Sequence, residues 1–453
     1  MVRGMATFPP VSPELLQRYD VPAPRYTSYP TAPSWNTEIG PAEYAAALKR
    51  AATRPDAPLS LYVHIPFCSE RCGFCACNVV ITRSREKADK YLGIVAREMD
   101  AVQEHLGARK TVSQIHWGGG TPTFLDERQI ETLWNAITRR FTLAPGAEVA
   151  IEVDPVVTTR GQIDLLRKLG FNRMSLGVQD LDPTVQQAID RVQSVEETRA
   201  TLEHARALGF SGINFDLIYG LPFQTRETWA RTLAQVLEMR PDRLAVYSFA
   251  HVPDVRPNQR RLPINGIPQG AEKLALFRMA WEAFMNAGYQ QIGMDHFAAP
   301  TDELAQAQSR RALGRNFQGY TVQSANEVVA FGTSAISDIG GIYAQNPHSL
   351  PHYQDAVAAG NLAVDRGIRL SEDDVLRRGI ISQLMCNFYV DLSAVPGLDA
   401  EFARLADLEK EGFLTLRGRT IELTPLGRIF VRNVATVFDA HLPQQAPRFS
   451  RAV

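Results

Sequence analysis

Between residues 59 and 300 the chain repeats one pattern, in which a short apolar run, a polar turn and a segment of helical periodicity follow one another. Strands that alternate with helices of about ten or more residues predict βαβ units and a parallel sheet. Six such units suit an open, partial TIM-like (β/α)6 barrel, but a doubly wound sheet has the same local signals. Periodicity therefore predicts an α/β fold and leaves these two architectures open. The apolar runs are 59–67, 112–120, 148–155, 173–180, 213–222 and 243–253, and helical segments include 88–106, 126–141 and 228–239.

Glycine or polar residues stand at or near the end of each predicted strand. The carboxyl ends of parallel strands meet on one rim of a barrel or sheet, which is where such folds bind their ligands. We therefore expect one functional site along this rim. The strand-end residues are Gly118, Gly119, Gly120, Glu152, Asp154, Gln179, Asp180, Asp216, Gly220 and His251.

The two ends of the chain depart from this repeat. The first 57 residues are rich in Pro and Tyr and predict an extended arm. After residue 300 the periodicity changes, and segments 371–390 and 400–442 predict a mostly helical, winged-helix-like domain that begins at the cap residue Ser371. The predicted domains are an N-terminal arm (1–57), the barrel (58–300), a barrel-associated segment that completes the site (301–368) and the C-terminal domain (369–453).

Composition narrows the possible partners. The formal net charge is -1 and 45% of the residues are hydrophobic, so the chain forms a full core without a global basic field. We expect neither nucleic acid nor a membrane as partner, and we expect Arg256, Arg260 and Arg261 to form a solvated face. No apolar stretch resembles a signal peptide or a membrane span. Clustered thiols without an export signal predict a cytoplasmic protein.

Four of the five cysteines form the run Cys68-x3-Cys72-x2-Cys75-x-Cys77. Crowded thiolates repel one another, and a soft cation between them removes the repulsion. Structural zinc prefers two separate pairs of ligands, and ferredoxin cubane runs have a shorter first gap. The C-x3-C-x2-C spacing instead places three thiolates around one 4Fe-4S cubane and leaves its fourth iron open. A zinc loop and a disulfide pair are the alternatives. Cys386 is expected to be buried on a helix.

The cysteine run, with the aromatic Phe74 before its third cysteine, resembles the motif of the radical S-adenosylmethionine (SAM) enzymes. The resemblance implies that Cys68, Cys72 and Cys75 are the metal ligands and that SAM chelates the open iron. One electron from the reduced cluster then cleaves SAM to methionine and a 5′-deoxyadenosyl radical. The core of these enzymes is a partial TIM-like barrel, which favours that architecture here.

Three strand-end features fit a bound nucleoside. The glycine run of HWGGGTPT (116–123) allows a ligand to approach the backbone closely, although such runs are often only tight turns. Glu152 lies in an apolar strand and needs a partner, either a ribose or amino group or a neighbouring arginine. Asp216 is flanked by Phe215 and Leu217, which is an unusual place for a solvated charge.

Longer runs resemble one family, the oxygen-independent coproporphyrinogen III oxidases, over nearly the whole chain. The one departure is Val322, where the family usually has Thr, and it touches none of the positions assigned below. The runs are PRYTSYPTA (24–32), YVHIPFC (62–68), CGFCACN (72–78), HWGGGTPT (116–123), IEVDP (151–155), FNRMSLGVQD (171–180), DLIYGLP (216–222), IGMDHFA (292–298), RNFQGYTVQ (315–323), GTSAIS (332–337) and the C-terminal FSRAV.

The resemblance implies that two SAM molecules bind beside the cluster. Cys77 belongs to a CxC extension of this family, would not ligate the cluster and would support catalysis; no other catalytic residue is assigned. The first SAM would contact Tyr62, Gly119, Glu152 and Ile336. The second would contact Phe74, Gly120, Thr121, Gln179, Arg191, Asp216 and Ala250.

The activity implied is the oxidative decarboxylation of two propionate side chains of coproporphyrinogen III to vinyl groups, which gives protoporphyrinogen IX in haem biosynthesis. A reducing donor such as flavodoxin or ferredoxin and a monomeric state are expected with it. A flat, anionic substrate needs cationic and aromatic anchors. The candidates are Arg25, Tyr26, Tyr29, Arg315 and Tyr320, for which ordinary surface packing is the alternative.

Two other functions are compatible with part of the pattern. A related haem-binding chaperone keeps the cluster, but its family replaces the fourth cysteine and lacks the RYTSYP arm, whereas this chain has both. A DNA-binding regulator would use the winged-helix-like tail, but that segment is not strongly basic. Both comparisons favour the enzyme.

Overall fold

The structure is a computed structural model that describes residues 5–322, 327–442 and 449–451. The ends of two of the runs above, residues 323 and 452–453, lie outside the described residues.

The helices and strands follow one another along four stretches of the chain. The N-terminal stretch contains α1 (Pro13–Tyr19) and α2 (Pro41–Ala52). The barrel stretch contains β1 (Leu59–Ile65), β2 (Phe67–Cys68), β3 (Val80–Ile81), α3 (Arg85–Leu106), β4 (Thr111–Gly119), α4 (Glu127–Thr138), β5 (Thr142–Val153), α5 (Arg160–Leu169), β6 (Arg173–Gln179), α6 (Pro183–Ala188), α7 (Val195–Ala207), β7 (Gly212–Tyr219), α8 (Arg226–Met239), β8 (Arg243–Ser248), α9 (Gly270–Asn286), β9 (Gln290–Gln291) and β10 (His296–Ala298). The third stretch contains α10 (Glu303–Ser309), β11 (Gly314–Asn316), β12 (Gly319–Thr321), β13 (Val328–Phe331), β14 (Ile336–Ile339), β15 (Ile342–Gln345), α11 (Leu350–Ala358) and β16 (Arg366–Arg369). The C-terminal stretch contains α12 (Glu372–Asn387), β17 (Tyr389–Asp391), α13 (Asp399–Lys410), β18 (Leu414–Arg417), β19 (Thr420–Leu423), α14 (Pro425–Ile429) and α15 (Val431–Ala435).

The order of the strands decides between the two architectures. The six predicted strands are β1, β4, β5, β6, β7 and β8, and they pair in chain order, all parallel. The helices that connect them contact one another in the same order, so they form a single outer layer. A doubly wound sheet reverses its strand order and splits its helices between two faces. The predicted partial (β/α)6 barrel is therefore confirmed.

The sheet continues beyond the six predicted strands at both edges. At one edge β13 pairs with β1 in parallel, and β14, β15 and β16 follow in antiparallel order. At the other edge β10 and β9 follow β8, also antiparallel. Within the described residues the sheet ends at β16 and β9 and does not close. The chain after residue 327 thus adds to the same sheet, while the exact domain boundaries stay predictions.

The barrel holds together through apolar strands that are buried on both faces. In β1 every residue except Tyr62 is buried, which is typical of a parallel strand covered on both sides. Between sheet and outer helices, the Phe171 ring lies 4.9 Å from Trp117 and 5.4 Å from Trp134, measured between centroids. Such aromatic contacts bury large areas and stabilise the layer.

The arm is not simply extended, as its composition predicted, because it contains α1 and α2. Each helix has a proline in its first turn, where the missing N–H costs nothing and the fixed φ favours a helix. The Ser12 side chain caps α1 by accepting a hydrogen bond from the N–H of Leu15. Some of the prolines in the arm therefore stand at the first turn of a helix and not in an extended segment.

The C-terminal stretch has the predicted mixture of helices and a small sheet. Ser371 caps α12 and forms a reciprocal pair of hydrogen bonds with Asp374, as predicted for this helix start. β17, β19 and β18 form an antiparallel sheet in that order, and Cys386 is fully buried on α12. None of the helices in the described part of the chain has both the length and the apolar character to cross a membrane.

A buried arginine joins α2, β1 and β13, and it provides a test of the fold. Arg109 is 1% exposed, pairs with Glu327 and donates to the backbone carbonyls of Ala51, Ala57 and Pro58. The Arg109→Leu substitution leaves Glu327 with only the half-exposed Arg54 as a charged partner and leaves three backbone carbonyls without their donor, so it should lower the free energy of unfolding by about 3 kcal/mol. Urea unfolding measures this change.

The control is the exposed pair of Arg128 and Asp89. Arg128→Leu should cost about 1 kcal/mol or less, because water screens this pair. A similar loss in both variants would contradict the special role of Arg109.

Candidate active site

The cysteine loop follows β1, as the sequence predicted, and is held at its base by two short strands. β2 and β3 pair in parallel on either side of the loop, so Phe67 lies beside Val80 and Cys68 beside Ile81. Cys68, Cys72 and Cys75 are half-buried and Cys77 is exposed, and none of them forms a disulfide. All four thiols are therefore free to serve as ligands.

The backbone of the loop is fixed by side chains from a distant part of the chain. The Asn258 amide nitrogen donates to the carbonyl oxygens of Cys72, Gly73 and Cys75 at 3.3, 3.0 and 3.0 Å. The Gln259 amide donates to the carbonyl of Phe74 at 3.0 Å. Neither residue was predicted to belong to the site. The one feature of the sequence that could have indicated their role is the long connection between β8 and α9.

The four thiols differ in their affinity for protons. Burial raises the pKa of Cys68 to about 11, although its sulfur lies 3.4 Å from the Thr121 hydroxyl. Burial also raises the pKa of Cys72, and the Arg191 guanidinium offsets part of this. A hydrogen bond from the Cys77 thiol lowers the pKa of Cys75 to about 6 and, in return, raises that of Cys77. Cys75 is therefore the thiol that ionises first.

The site can accommodate an iron–sulfur cluster and a nucleoside together. All four cysteines line one cavity of about 500 Å³, which lies within the usual range for cofactor sites. In the described part of the chain no three His, Cys, Asp or Glu side chains converge as they would around a single metal ion. The ligands of a cubane are thiolates on different irons, so they lie farther apart than ligands of one zinc. Three soft donors at one cavity therefore fit the cluster.

The glycine run at the end of β4 is required by close contacts on both sides. A Cβ atom on Gly118 would lie 2.7 Å from a carboxylate oxygen of Glu152, and one on Gly120 would lie 2.8 Å from the carbonyl oxygens of Pro66 and Phe67. Gly119 has a φ of +119°, which strongly favours glycine. The run is thus more than a tight turn, because it lets β4 pass between the cysteine loop and Glu152.

Glu152 is bound by a histidine and the backbone, not by an arginine. One carboxylate oxygen lies 3.1 Å from Nε2 of His116, and the other accepts the N–H of Gly119 at 3.1 Å. Burial alone would raise the pKa of this carboxyl, but the hydrogen bonds and the charge of His116 lower it. Glu152 therefore stays ionised at the cavity wall.

Asp216 is the second acidic residue at this cavity, and its pKa is shifted in the opposite direction from that of Glu152. It accepts hydrogen bonds from the Ser175 hydroxyl at 2.9 Å and from the Asn214 amide at 2.8 Å. Burial, and next the negative charge of Glu152, raise its pKa to about 7. Ser175 and Asn214 were not predicted, although Ser175 lies next to Glu152 in the strand register.

Arg191 is held at the cavity by an acidic partner. Its guanidinium pairs with Asp154 at 2.7 Å and donates to the carbonyl of Gly177 at 2.8 Å. Asp154 follows β5 and was noted only as a strand-end residue. The side chains of Gln179 and Arg191 approach each other above Gly177, where a Cβ atom would lie 2.8 Å from one and 3.3 Å from the other.

The structure brings most of the predicted site residues to one cavity. The exceptions are Tyr62, Ala250 and Ile336. Tyr62 stacks on the His116 ring at 5.9 Å, while Ala250 follows β8 and Ile336 begins β14. The predicted residues that line the cavity are Cys68, Cys72, Phe74, Cys75, Cys77, Gly119, Gly120, Thr121, Glu152, Gln179, Arg191 and Asp216.

The proposed substrate anchors on the arm are already used within the protein. The Tyr26 hydroxyl donates to Asp439, and the Tyr29 hydroxyl accepts the N–H of Ala440. Arg25 pairs with Asp295 at 2.6 Å. Arg315 donates to the carbonyl of Arg25, and the Tyr320 ring lies 5.0 Å from the Arg315 guanidinium. Packing therefore accounts for Tyr26 and Tyr29, the alternative considered for them.

Comparisons with known proteins agree over the whole chain. Residues 62–236 match the radical SAM superfamily, and residues 370–430 match the HemN C-terminal domain. The chain is 44% identical to the oxygen-independent coproporphyrinogen III oxidase of Pseudomonas aeruginosa, covering 97% of this chain and 98% of that protein. It is also 44% identical to the Escherichia coli protein of the same name, with the same coverage. The relative of that name from Helicobacter pylori is 38% identical, covering 97% and 99%.

A solved structure supports the fold independently. Coproporphyrinogen III oxidase (HemN) from Escherichia coli, described as a radical SAM enzyme, superposes with a TM-score of 0.89 at 43% identity. The match covers 92% of this chain and 98% of that chain. The predicted fold, with its radical SAM core, is therefore confirmed.

The raised pKa of Asp216 predicts how stability depends on pH. Its folded pKa of about 7 lies above the ordinary 3.8, so the folded state binds the proton more tightly than the unfolded chain. This contribution is complete below the unfolded pKa and is lost as the pH rises through the folded pKa. Asp216→Asn removes the charge, so relative to the parent it should gain about 1–3 kcal/mol of unfolding free energy between about pH 4 and about pH 8.

Chemical unfolding of both proteins across this pH range measures the effect. If the unfolding free energies of the parent and of Asp216→Asn changed equally with pH, the prediction would be contradicted, because Asp216 would then have an ordinary pKa in the folded protein.

Proposed function

The chain belongs to the family of oxygen-independent coproporphyrinogen III oxidases, and on that premise we propose that it decarboxylates coproporphyrinogen III without oxygen. Two propionate side chains become vinyl groups, and the product is protoporphyrinogen IX. The observation that carries this proposal is the single cavity at which three spaced thiols, a glycine turn and two differently charged carboxyl groups meet.

As a radical SAM enzyme the protein uses a 4Fe-4S cluster and SAM. Bound together, the cluster and SAM would supply radical chemistry strong enough to remove a hydrogen atom from an unactivated propionate carbon. Cys68, Cys72 and Cys75 would hold three irons. Cys75 is suited to this because the hydrogen bond from Cys77 lowers its pKa, which favours the thiolate that binds iron.

The glycine turn and the carboxyl groups would bind SAM. The turn leaves no side chain between the cysteine loop and Glu152, so the amino acid part of SAM can approach the backbone. Glu152 remains ionised and presents an acceptor for a ribose hydroxyl or an ammonium group. Asp216 would regain its charge beside a cationic sulfonium, because an opposite charge lowers a carboxyl pKa.

A second SAM is proposed for the far side of the same cavity. Phe74, Gln179 and Arg191 line this side together with Asp216. The ion pair with Asp154 fixes the Arg191 guanidinium at the wall of the cavity. The family resemblance suggests two molecules, and a cavity of about 500 Å³ before any loop movement supports at least one.

The reacting propionate would reach SAM through the interior of the barrel. A second, smaller cavity of about 130 Å³ shares Glu152, Ser175 and Asp216 with the first. Its wall also includes Tyr247, His296 and Tyr320, which provide aromatic surface for a tetrapyrrole edge. These residues would orient the propionate and keep water away from the radical.

Three further properties accompany this function as proposals. The electron donor is a flavodoxin or a ferredoxin, the protein acts as a monomer, and it works in the cytoplasm. The donor rests on the need of the cluster for an electron, and the compartment on the clustered free thiols, which suit a reducing environment. The monomeric state rests on the family resemblance. Cys77 would support the reaction without ligating iron, since its sulfur hydrogen-bonds to Cys75 and faces the same cavity.

The different roles of the cysteines predict different iron contents. After anaerobic reconstitution the parent should contain about four irons per chain. Cys72→Ser should lose most of this iron, because one cluster ligand is missing. Cys77→Ser should keep it and lose activity. Iron and sulfide analysis with the visible spectrum measures this, and loss of the cluster in Cys77→Ser would overturn the assignment.

Product analysis tests the function itself. Incubated anaerobically with SAM, dithionite and coproporphyrinogen III, the reconstituted protein should release carbon dioxide and form protoporphyrinogen IX. Each vinyl group should be accompanied by 5′-deoxyadenosine, and Cys72→Ser should form neither. Stable haem binding without release of carbon dioxide would instead indicate the chaperone function.

A further inference from the structure

The connection between β8 and α9 forms an outer wall over the cysteine loop. Asn258 and Gln259 hydrogen-bond to the loop carbonyls, and the Leu262 side chain presses on Gly73, where an added Cβ would lie only 2.7 Å away. The other face of this connection points to solvent. This connection therefore lies between solvent and one side of the loop that carries the cluster thiols.

The solvent face of this wall is unusually apolar. Val252, Val255 and Ile264 are 39%, 66% and 58% exposed. Two further exposed side chains lie on neighbouring segments: Phe223, whose ring approaches Gly266, and Val192, which lines the cluster cavity. Large apolar side chains that cluster on a surface mark interaction sites, whereas scattered ones carry no such meaning.

The same wall carries an excess of positive charge. Arg260 and Arg261 are exposed and Arg256 is partly exposed, while Asp254 is the one acidic residue between 251 and 267. Arg261 lies 3.4 Å from Asp190 and donates to the carbonyl of Arg71 in the cysteine loop. These arginines were expected to form only a solvated face. Arginine beside exposed apolar side chains is instead the composition of protein interfaces.

We propose that residues 252–264 dock a small acidic electron-carrier protein, an inference that rests on the proposed function. These residues are termed the electron-entry surface. The reduced carrier loses one electron and the cluster gains it, and no bond or proton is transferred. Electrons cross protein efficiently only over short separations, and this surface contacts the backbone of Cys72 and Cys75 directly through Asn258. Arginines attract an acidic partner and speed its encounter, while Val255 and Ile264 supply the apolar contact.

The test reverses one charge on the electron-entry surface and leaves Arg261, which contacts the cysteine loop, unchanged. Arg260→Glu is compared with Arg97→Glu, which changes an exposed arginine on α3 and has the same effect on net charge. Reduced flavodoxin, an acidic one-electron carrier, is the probe. Its affinity for the reconstituted protein is measured by calorimetry at two salt concentrations, and cluster reduction is followed by stopped-flow absorbance.

The surface variant should bind the carrier roughly tenfold more weakly at low salt, a change of about 1.4 kcal/mol, and should lose most of the salt dependence. Its cluster should be reduced more slowly by the carrier, while dithionite still supports normal turnover. The control variant should behave like the parent. Unchanged affinity in the surface variant, or an equal loss in the control variant, would overturn the proposal.

Two other outcomes separate this proposal from the function on which it rests. A raised KM of Arg260→Glu for coproporphyrinogen III with dithionite as donor would show that Arg260 holds substrate, and would overturn the docking site alone. Failure of every variant, and of the parent, to release carbon dioxide with dithionite would contradict the proposed function while leaving the measured carrier affinities to decide the docking site.

Discussion

The cysteine loop has to be held in place without the help of its own side chains. Its thiols serve the cluster, so the fold fixes the loop through its backbone. The N–H of Gly73 donates to the carbonyl of Ile189 at 2.8 Å, and that of Val80 donates to Pro66 at 2.7 Å. Asn258 then satisfies three loop carbonyls with one amide. Buried backbone groups without such partners would be costly, so each of these contacts also stabilises the loop.

This constraint explains why the barrel geometry matters. Ile189 follows α6 and Asn258 follows β8, and both are far from the loop in sequence. Because the strands pair in chain order and curve, the connections after β6 and β8 return to the loop that follows β1. The same curvature aligns Glu152, Ser175 and Asp216, which lie on three neighbouring strands. Glu152 is kept charged while Asp216 is nearly half-protonated at neutral pH, so two nearby carboxyl groups avoid full repulsion.

Much of the fold was predictable because it depends on local periodicity. The six barrel strands, the start of α12 and the position of Glu152 at the end of β5 all follow from such signals. Asp216, which was expected near a strand end, lies instead in the middle of β7. β13 to β16 were missed because runs of only four residues give no clear period. The arm helices were missed because proline in a first turn resembles proline in an extended segment. Asn258 and the pairing of Arg191 with Asp154 depend on contacts between distant segments, and no local pattern encodes them.

The central claim is that three cysteines hold the cluster and leave one iron for SAM. Mössbauer spectroscopy of the reconstituted, iron-57-labelled protein tests it directly. On addition of SAM, the account predicts that the signal of one iron in four changes to that of a site with nitrogen and oxygen ligands, in the parent and in Cys77→Ser alike. A spectrum that SAM leaves unchanged, with four equivalent thiolate-ligated irons, would contradict the account.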